Sequence, residues 1–511
     1  MTSFDDAGFV SLLTTRAAAE PERVYARFCG EPVTYAEIER RSAAFAWYLR
    51  TRGIVAGDRV AVMMRNSIAT IAVVFGLARA GVAWVPVNAQ QRGEGLRYLL
   101  THSQPRLVVA DAELAPQIAE AMGQEAELPL LAHAPGGELD AILAAEARFA
   151  EPVPSAEAVF AIMYTSGTTG RPKGVIVSHR MLRLAAESVA LLSDAKAGDV
   201  FFVWEPLYHI GGAQLLPLPM LSGITLAMVE RFSASRFWDQ VRAEGASHIH
   251  YLGGILQILL KQPPSPRDRE HGVRIAWGGG CPADIWPAFR DRFGIDIREC
   301  YGMTEASSLT TCNVTGVVGS VGTPMPWFEV KLRDTEGRAV ATGARGEIVI
   351  ETSIPGAIFP GYLDNPEATA KALRADGFHT GDLGSFDPQG NLYFHGRMTD
   401  SVRCRGENVS AWEVEHVAAE HEAVEDCAMI GVAADVGEQD IKLFVKPRDG
   451  VIIDPQALSG WLGQRLAPYQ NPRYIAVVDE FERTASQRIM KHKLSPRLDD
   501  CWDRAAMAMG R

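Results

Sequence analysis

The strongest constraint on the fold is an alternation sustained through the first 300 residues, where short runs rich in β-branched residues are mostly separated by helix-length segments. Parallel sheets covered by helices carry that signature. Strands are predicted at 60–64, 82–87 and 107–110, and a second series at 160–164, 175–178, 200–204, 224–229, 248–252, 273–277 and 297–301. Thr34 with Glu37 three residues on forms a capping box, opening a helix that stops near Gly53, and a second helix is predicted at 67–79. The two βα series fit one large unit or two packed subdomains. Beyond Gly316 the texture turns β-rich, with segments at 329–333 and 347–351 that suggest a small antiparallel or barrel-like unit. A charged stretch at 397–405 then leads to a helix at 411–421, strands at 427–432 and 441–446, a helix at 455–465 and a strand at 474–478. The expected class is α/β: a large N-terminal body of two βα-layered subdomains plus a small β-rich unit, followed by a small α+β C-terminal domain.

Charge and cysteine usage narrow the function. Lys and Arg total 50 against 62 Asp and Glu, a net charge of −12, which argues against a broad nucleic-acid face and predicts no nucleic-acid partner. With 47% hydrophobic and 22% charged residues the chain is ordinary globular material, not a disordered one. Seven cysteines, an odd number with no CxxC pair, do not resemble a disulfide framework and fit a reducing compartment. No basic segment followed by an apolar run stands at the N-terminus, so no signal peptide is expected and the cytoplasm is the expected location. The apolar stretch 69–87 is interrupted by Arg79 and Gly81, and 215–229 contains Pro217, Pro219 and Gly223, so no membrane span is expected.

The most informative chemistry lies at 164–174, YTSGTTGRPKG, between two predicted strands. Its glycines, hydroxyls and cations can surround phosphate oxygens with amide and hydroxyl donors while Arg171 and Lys173 offset their charge. It is not a Walker A loop, because Pro172 stands where that pattern needs glycine. His209 precedes Gly211 and Gly212, where a backbone can pass close to a ligand. Gly278, Gly279 and Gly280 follow a strand and are expected to open a helix with Pro282 near its first turn. His248 and His250 share one side of a strand without completing a metal-ligand set, and are read as structural.

The loop at 164–174 closely resembles the signature of the adenylate-forming superfamily of acyl-CoA synthetases, peptide-synthetase adenylation domains and luciferases. Four further motifs follow in that family's order: Tyr208 to Gly212, Tyr301 to Glu305, His379 to Leu383, and the stretch from Arg397 to Glu415. The resemblance implies an ATP-dependent acid–thiol ligase that makes an acyl-AMP with release of pyrophosphate and then passes the acyl group to CoA. ATP, Mg²⁺ and CoA are the implied cofactors and a small carboxylic acid the implied partner, with a homodimer compatible. It assigns Thr165, Ser166, Gly167, Thr168, Thr169 and Lys173 to the phosphates. Gly279, Gly280, Cys300, Tyr301, Gly302, Met303 and Thr304 go to the nucleotide, Tyr301 against adenine and Thr304 at the α-phosphate. Glu305 is assigned to Mg²⁺, and Asp382 and Arg397 to ribose.

The same resemblance makes 1–396 an adenylation body, 397–404 a hinge with Asp400 as pivot, and 405–511 a mobile C-terminal domain. Arg403, Arg405, Gly406 and Glu407 are then expected along a pantetheine tunnel, with His209 gating the acyl site. The implied acyl pocket lies around Trp204, His209, Ile210, Tyr251, Gly278 and Met303. One position departs from the family: Arg488 stands where its members carry the lysine that reaches the carboxylate and α-phosphate, and the planar guanidinium is not a conservative exchange there. Lys491 is the fallback. Gln262 to Ser265, with Asp268, Arg269 and His271, resembles the crotonobetaine/carnitine-CoA ligase branch. An enzyme that loads a carrier protein, or, given Arg488, a nucleotide- or acyl-binding pseudoenzyme, remains an open alternative.

Overall fold

A computed structural model of the chain describes residues 7–123, 128–165, 171–252, 255–281, 283, 285–334, 336–397, 401–434, 438–482, 489 and 491–508. Local signals act where the sequence puts them. Thr34 caps the helix Tyr35–Thr51 by accepting from the Glu37 amide, while the Glu37 carboxylate accepts from the Thr34 amide. Ser67 caps the helix Ile68–Arg79, which is buried from Ala69 to Arg79. A helix apolar all round belongs between packed layers, and its one charge, Arg79, is paired with Glu39 on the neighbouring helix. Among the described residues no helix is long and apolar enough to cross a membrane.

Two large sheets make the body. In the six-stranded one the order is Leu130–His133, Leu107–Asp111, Arg59–Met63, Ala83–Pro86, Val159–Thr165 and Lys173–Ser178, parallel except for the last pair. The nine-stranded sheet runs Thr323–Pro324, Ser308–Asn313, Asp296–Met303, Ile275–Gly279, His248–Leu252, Val200–Val203, Thr225–Met228, Val24–Phe28 and Glu31–Thr34. The pairs from Asp296–Met303 to Val24–Phe28 are parallel, and the two pairs at one end and the single pair at the other are antiparallel. The chain therefore starts on the second sheet, leaves to build the first, and returns. The β-rich unit is a five-stranded sheet of Phe328–Arg333, Gly346–Thr352, Gly377–Phe386, Leu373–Arg374 and Leu392–Arg397.

The β-rich unit expected beyond Gly316 is this five-stranded sheet, and the strand Ser308–Asn313 ahead of it folds straight back on Asp296–Met303 to extend the nine-stranded sheet in antiparallel fashion. One expectation is corrected. The helix after the glycine run is Trp286–Phe293 with Pro287 in its first turn, and Gly278 and Gly279 belong to the strand; Pro282 lies outside the described residues.

The smaller C-terminal domain holds the hairpin Ser401–Cys404 and Glu407–Ser410 and a four-stranded sheet of Val424–Ala433, Gln439–Pro447, Tyr474–Val477 and Trp502–Asp503. It has its own core, in which Val402, Val409, Val414, Leu443 and Leu462 pack together. The core of the body ends at Leu392.

Candidate active site

A cavity of about 400 Å³ opens where strand ends of both large sheets face the C-terminal domain. Thr165 and Lys173 are paired in register across the two strands that close the signature loop, so both side chains stand at its mouth and line the cavity. Lys173 Nζ sits 4.9 Å from the Tyr362 ring centroid, and Arg171 packs over the Tyr98 ring. Ser166, Gly167, Thr168 and Thr169 lie outside the described residues. Opposite, Cys300, Gly302, Met303, Thr304 and Glu305 contribute to the wall. The Tyr362 hydroxyl donates to Glu305 Oε1 at 2.9 Å, fixing a buried carboxylate toward the cavity. Among the described residues no three His, Cys, Asp or Glu side chains cluster as a metal site. Mg²⁺ needs no such cluster, because it takes one or two carboxylates together with substrate phosphates, and Glu305 fits that requirement.

The glycines are demanded by the protein's own packing. A Cβ on Gly278 would overlap the Tyr251 carbonyl, one on Gly302 the Ser308 carbonyl, and one on Gly211 the Glu205 carboxylate. Gly278 and Gly279 line the cavity, and Gly280 turns away from it. The Gly280 amide donates to Glu299 at 2.5 Å, as does the Cys281 amide at 3.2 Å, and the Tyr251 hydroxyl donates to the same carboxylate at 2.5 Å. Burial pushes Glu299 up to about 7 despite these donors. Burial likewise pushes the Cys300 thiol up, and it donates to the Gly278 carbonyl.

Several expected residues occupy other positions. Tyr251 is fully buried behind the glycine run and Trp204 donates its indole N–H to the His250 carbonyl; neither lines the cavity. His250, read from sequence as structural, does line it, beside Glu205 and Trp277. Period-2 alternation in His248–Leu252 forces this choice, since His250 and Tyr251 must face opposite sides. His248 is structural, stacked on Phe201 at 4.2 Å and bonded to the Ser193 carbonyl. The Tyr301 ring stacks on Phe394, and its hydroxyl donates to Asp382 Oδ2 at 2.7 Å. The Arg397 backbone pairs with Asp382; the Arg397 side chain, Asp400 and Arg488 lie outside what is described. Lys491 is held 2.6 Å from Glu415 on its own domain.

The hairpin of the C-terminal domain closes the cavity. Its two-residue turn, Arg405 and Gly406, has φ of 53° and 83°, the pattern of a type I′ turn. Arg405 is exposed, while Arg403, Gly406 and Glu407 line the cavity. Glu438 accepts from the Gly406 amide at 2.7 Å and lies 3.6 Å from Arg403, steadying the tip. Glu407 Oε1 meets His209 Nε2 at 2.7 Å and accepts from Asn88 Nδ2 at 3.3 Å. Burial penalises the His209 imidazolium, but Glu407 and then Glu205 outweigh it and its pKa is raised. A second bridge runs from the Tyr469 hydroxyl to Gln91 at 3.2 Å. These partners, with Glu205, Gln214 and Glu299, escaped sequence reasoning because none belongs to a motif; each is recognised only from the group it faces.

Comparison with known proteins agrees with this layout. Residues 13–363 match the model described as "AMP-binding enzyme", and residues 413–488 its C-terminal domain. The chain belongs to the AMP-binding enzyme family. It is 31% identical to a crotonobetaine/carnitine–CoA ligase of Escherichia coli over 487 residues, 90% of this chain and 92% of that protein. It is an enzyme of the AMP-forming acyl-CoA ligase class. Among solved structures, o-succinylbenzoate CoA synthetase of Bacillus subtilis, a double mutant bound with the product analogue OSB-NCoA, superimposes with a TM-score of 0.85. That match is 25% identical and covers 95% of this chain and 98% of that one. The same synthetase in complex with its acyl-adenylate intermediate, also 25% identical and covering 95% and 97%, gives 0.68.

Proposed function

We propose that this AMP-binding enzyme joins a small carboxylic acid to CoA in two steps, forming an acyl-AMP with release of pyrophosphate and then letting the CoA thiol displace AMP. The observation that carries the reading is the contact between Glu407 and His209, which brings the tip of the C-terminal domain to the wall of the nucleotide cavity. The nearer match to the relative carrying the CoA product analogue than to the one carrying the adenylate supports assigning this arrangement to the second step.

In the first step Thr165 and Lys173, with the signature loop, would hold the triphosphate, and Thr304 the α-phosphate, so that the acid's carboxylate attacks phosphorus while pyrophosphate leaves. Electrostatic positioning of this kind is what phosphoryl transfer needs. Glu305 would hold Mg²⁺, which would supply charge neutralisation on the phosphates. Asp382 and Arg397 are assigned to the ribose and Tyr301 to the adenine. Arg488 is assigned to the carboxylate and α-phosphate in that step. In the second step Arg403, Arg405, Gly406 and Glu407 would flank the pantetheine arm, with the C-terminal domain turning about Asp400 between residues 397 and 404. The seven cysteines are free, which favours a reducing, cytoplasmic setting.

Pyrophosphate release measured with a panel of acids, with and without CoA, tests the reading. Acid-dependent release followed by CoA-dependent acyl-CoA is the expected result. No release with any acid refutes it, and release without acyl transfer to CoA points to another acceptor.

A further inference from the structure

The inner wall of the cavity carries polar groups that neither phosphate binding nor thiol attack uses. Glu205, Gln214 and His250 are only 3, 2 and 4% exposed, and all three line it. Glu205 Oε2 lies 2.7 Å from His250 Nδ1, and the neighbouring Gly211 must be glycine because the Glu205 carboxylate fills the place of a Cβ. Burial alone would raise the Glu205 carboxyl, but His250 and then His209 hold it below its ordinary value. Gln214 donates its amide nitrogen to the Gly211 carbonyl at 3.0 Å, which fixes the oxygen as the other end of that side chain. Among the described residues, that oxygen has no hydrogen-bond partner. Trp277 packs on His250 with ring centroids 4.3 Å apart and gives the same wall an apolar face.

A pocket meant for a plain hydrocarbon chain gains nothing from a carboxylate and a lone carbonyl in its wall, because the carbonyl forfeits hydration without return and the carboxylate, with one imidazole partner, keeps further accepting capacity unused. Both groups are acceptors. We propose that they select an acid whose acyl chain carries a hydrogen-bond donor, a hydroxyl or an ammonium N–H, over a hydrocarbon acid of the same length. Glu205 and Gln214 are thus specificity-determining residues, with His250 orienting Glu205. The inference rests on the ligase reading and adds the chemical class of its acid. A site built around a substrate donor rejects the analogue lacking it far more strongly than an apolar pocket rejects a missing methylene.

The test compares kcat/KM for matched acids from butanoate to hexanoate: the unsubstituted acid and its hydroxy, amino and trimethylammonio derivatives. The wild-type enzyme should favour a hydroxy or amino acid over its unsubstituted partner by about tenfold or more. Gln214→Met, which keeps chain length but removes the carbonyl, and Glu205→Gln, which keeps shape but removes charge, should each shrink that ratio at least several-fold. Melting curves check that both variants fold, and the milder Glu205→Gln carries the test should Gln214→Met not fold. Equal use of substituted and plain acids, a preference for the trimethylammonio acids, which lack N–H, or a donor preference unchanged in the folded variants overturns the proposal and leaves the ligase reading standing. No pyrophosphate with any acid sinks both.

Discussion

Replacing Glu407 with Gln should separate the two half-reactions. The Glu407–His209 contact is 2.7 Å long and joins the C-terminal domain to the body. A hydrogen bond to a charged group is worth roughly 1.5–3 kcal/mol when well shielded. The His209 side chain is 34% exposed and that of Glu407 15%, so solvent screening puts the charge's contribution near the lower end, about 1.5 kcal/mol. That is about tenfold in rate if docking limits thiol attack. Acyl transfer from preformed acyl-adenylate should therefore slow about tenfold, whereas acid-dependent pyrophosphate exchange, which does not use this contact, should change less than about twofold. The raised pKa of His209 adds a pH signature. The imidazolium–carboxylate attraction is complete below the ordinary imidazole value of 6.5 and is lost as pH rises through the raised one. Wild-type acyl transfer should weaken across that window, and the variant should lack the dependence. Equal losses in both half-reactions, or an unchanged pH profile, would refute the assignment of this contact to the second step.

Four further outcomes are expected. Lys173→Ala, which removes a cation from the cavity wall, should lower pyrophosphate exchange by about a hundredfold. Tyr362→Phe deletes the hydroxyl that fixes Glu305 and should raise the half-saturating Mg²⁺ concentration several-fold in the same assay, with little change in melting temperature. Gly302→Ala places a methyl into the Ser308 carbonyl and should cost about 3 kcal/mol in urea unfolding, since the strand pair has to part. Glu299 holds its proton in the folded state because burial raises it from 4.5 to about 7, so its contribution to stability is present at low pH and lost as pH rises across that interval. The shift is worth about 3 kcal/mol, and Glu299→Gln should remove that slope from melting curves recorded between those pH values.

What the sequence revealed depended on the range over which each signal acts. The capping box of Thr34 and Glu37 is complete within four residues and stands as expected. The strand His248–Leu252 coincides with its predicted limits because its pattern is internal to it. The strands Val24–Phe28 and Glu31–Thr34 were not foreseen: the first is placed by pairing with Thr225–Met228 some two hundred residues later, a partner no local pattern announces, and the second folds back on the first at the sheet edge. The acyl side of the site failed for the same reason. His250 looked like a core residue because Glu205, which gives it a role, is 45 positions away in sequence and meets it only after folding. Tyr251 looked like a pocket aromatic, yet alternation sends it to Glu299, and Glu299 carries no motif.

Net charge poses a sharper question in the folded chain than it did in the sequence. A protein of net −12 that takes two polyanionic substrates is expected to gather cations at its site. Among the described residues lining the cavity, however, Lys173 and Arg403 face four carboxylates, Glu205, Glu305, Glu407 and Glu413. Each of those carboxylates is engaged: with His250, the Tyr362 hydroxyl, His209 and the Gln470 amide in turn. Burial pushes Glu413 up to about 7, so it is partly uncharged at neutral pH. The described wall is therefore no diffuse positive basin. Under the proposed function, phosphate recognition on it would depend on directional donors at short range, Lys173 and the hydroxyls of Thr165 and Thr304, which line the cavity and which the molecule's overall negative field, screened within about 8 Å in physiological salt, would barely oppose. Net charge and nucleotide binding are reconciled by that difference in range: the acidic surface acts on what approaches, and the wall acts only on what has arrived.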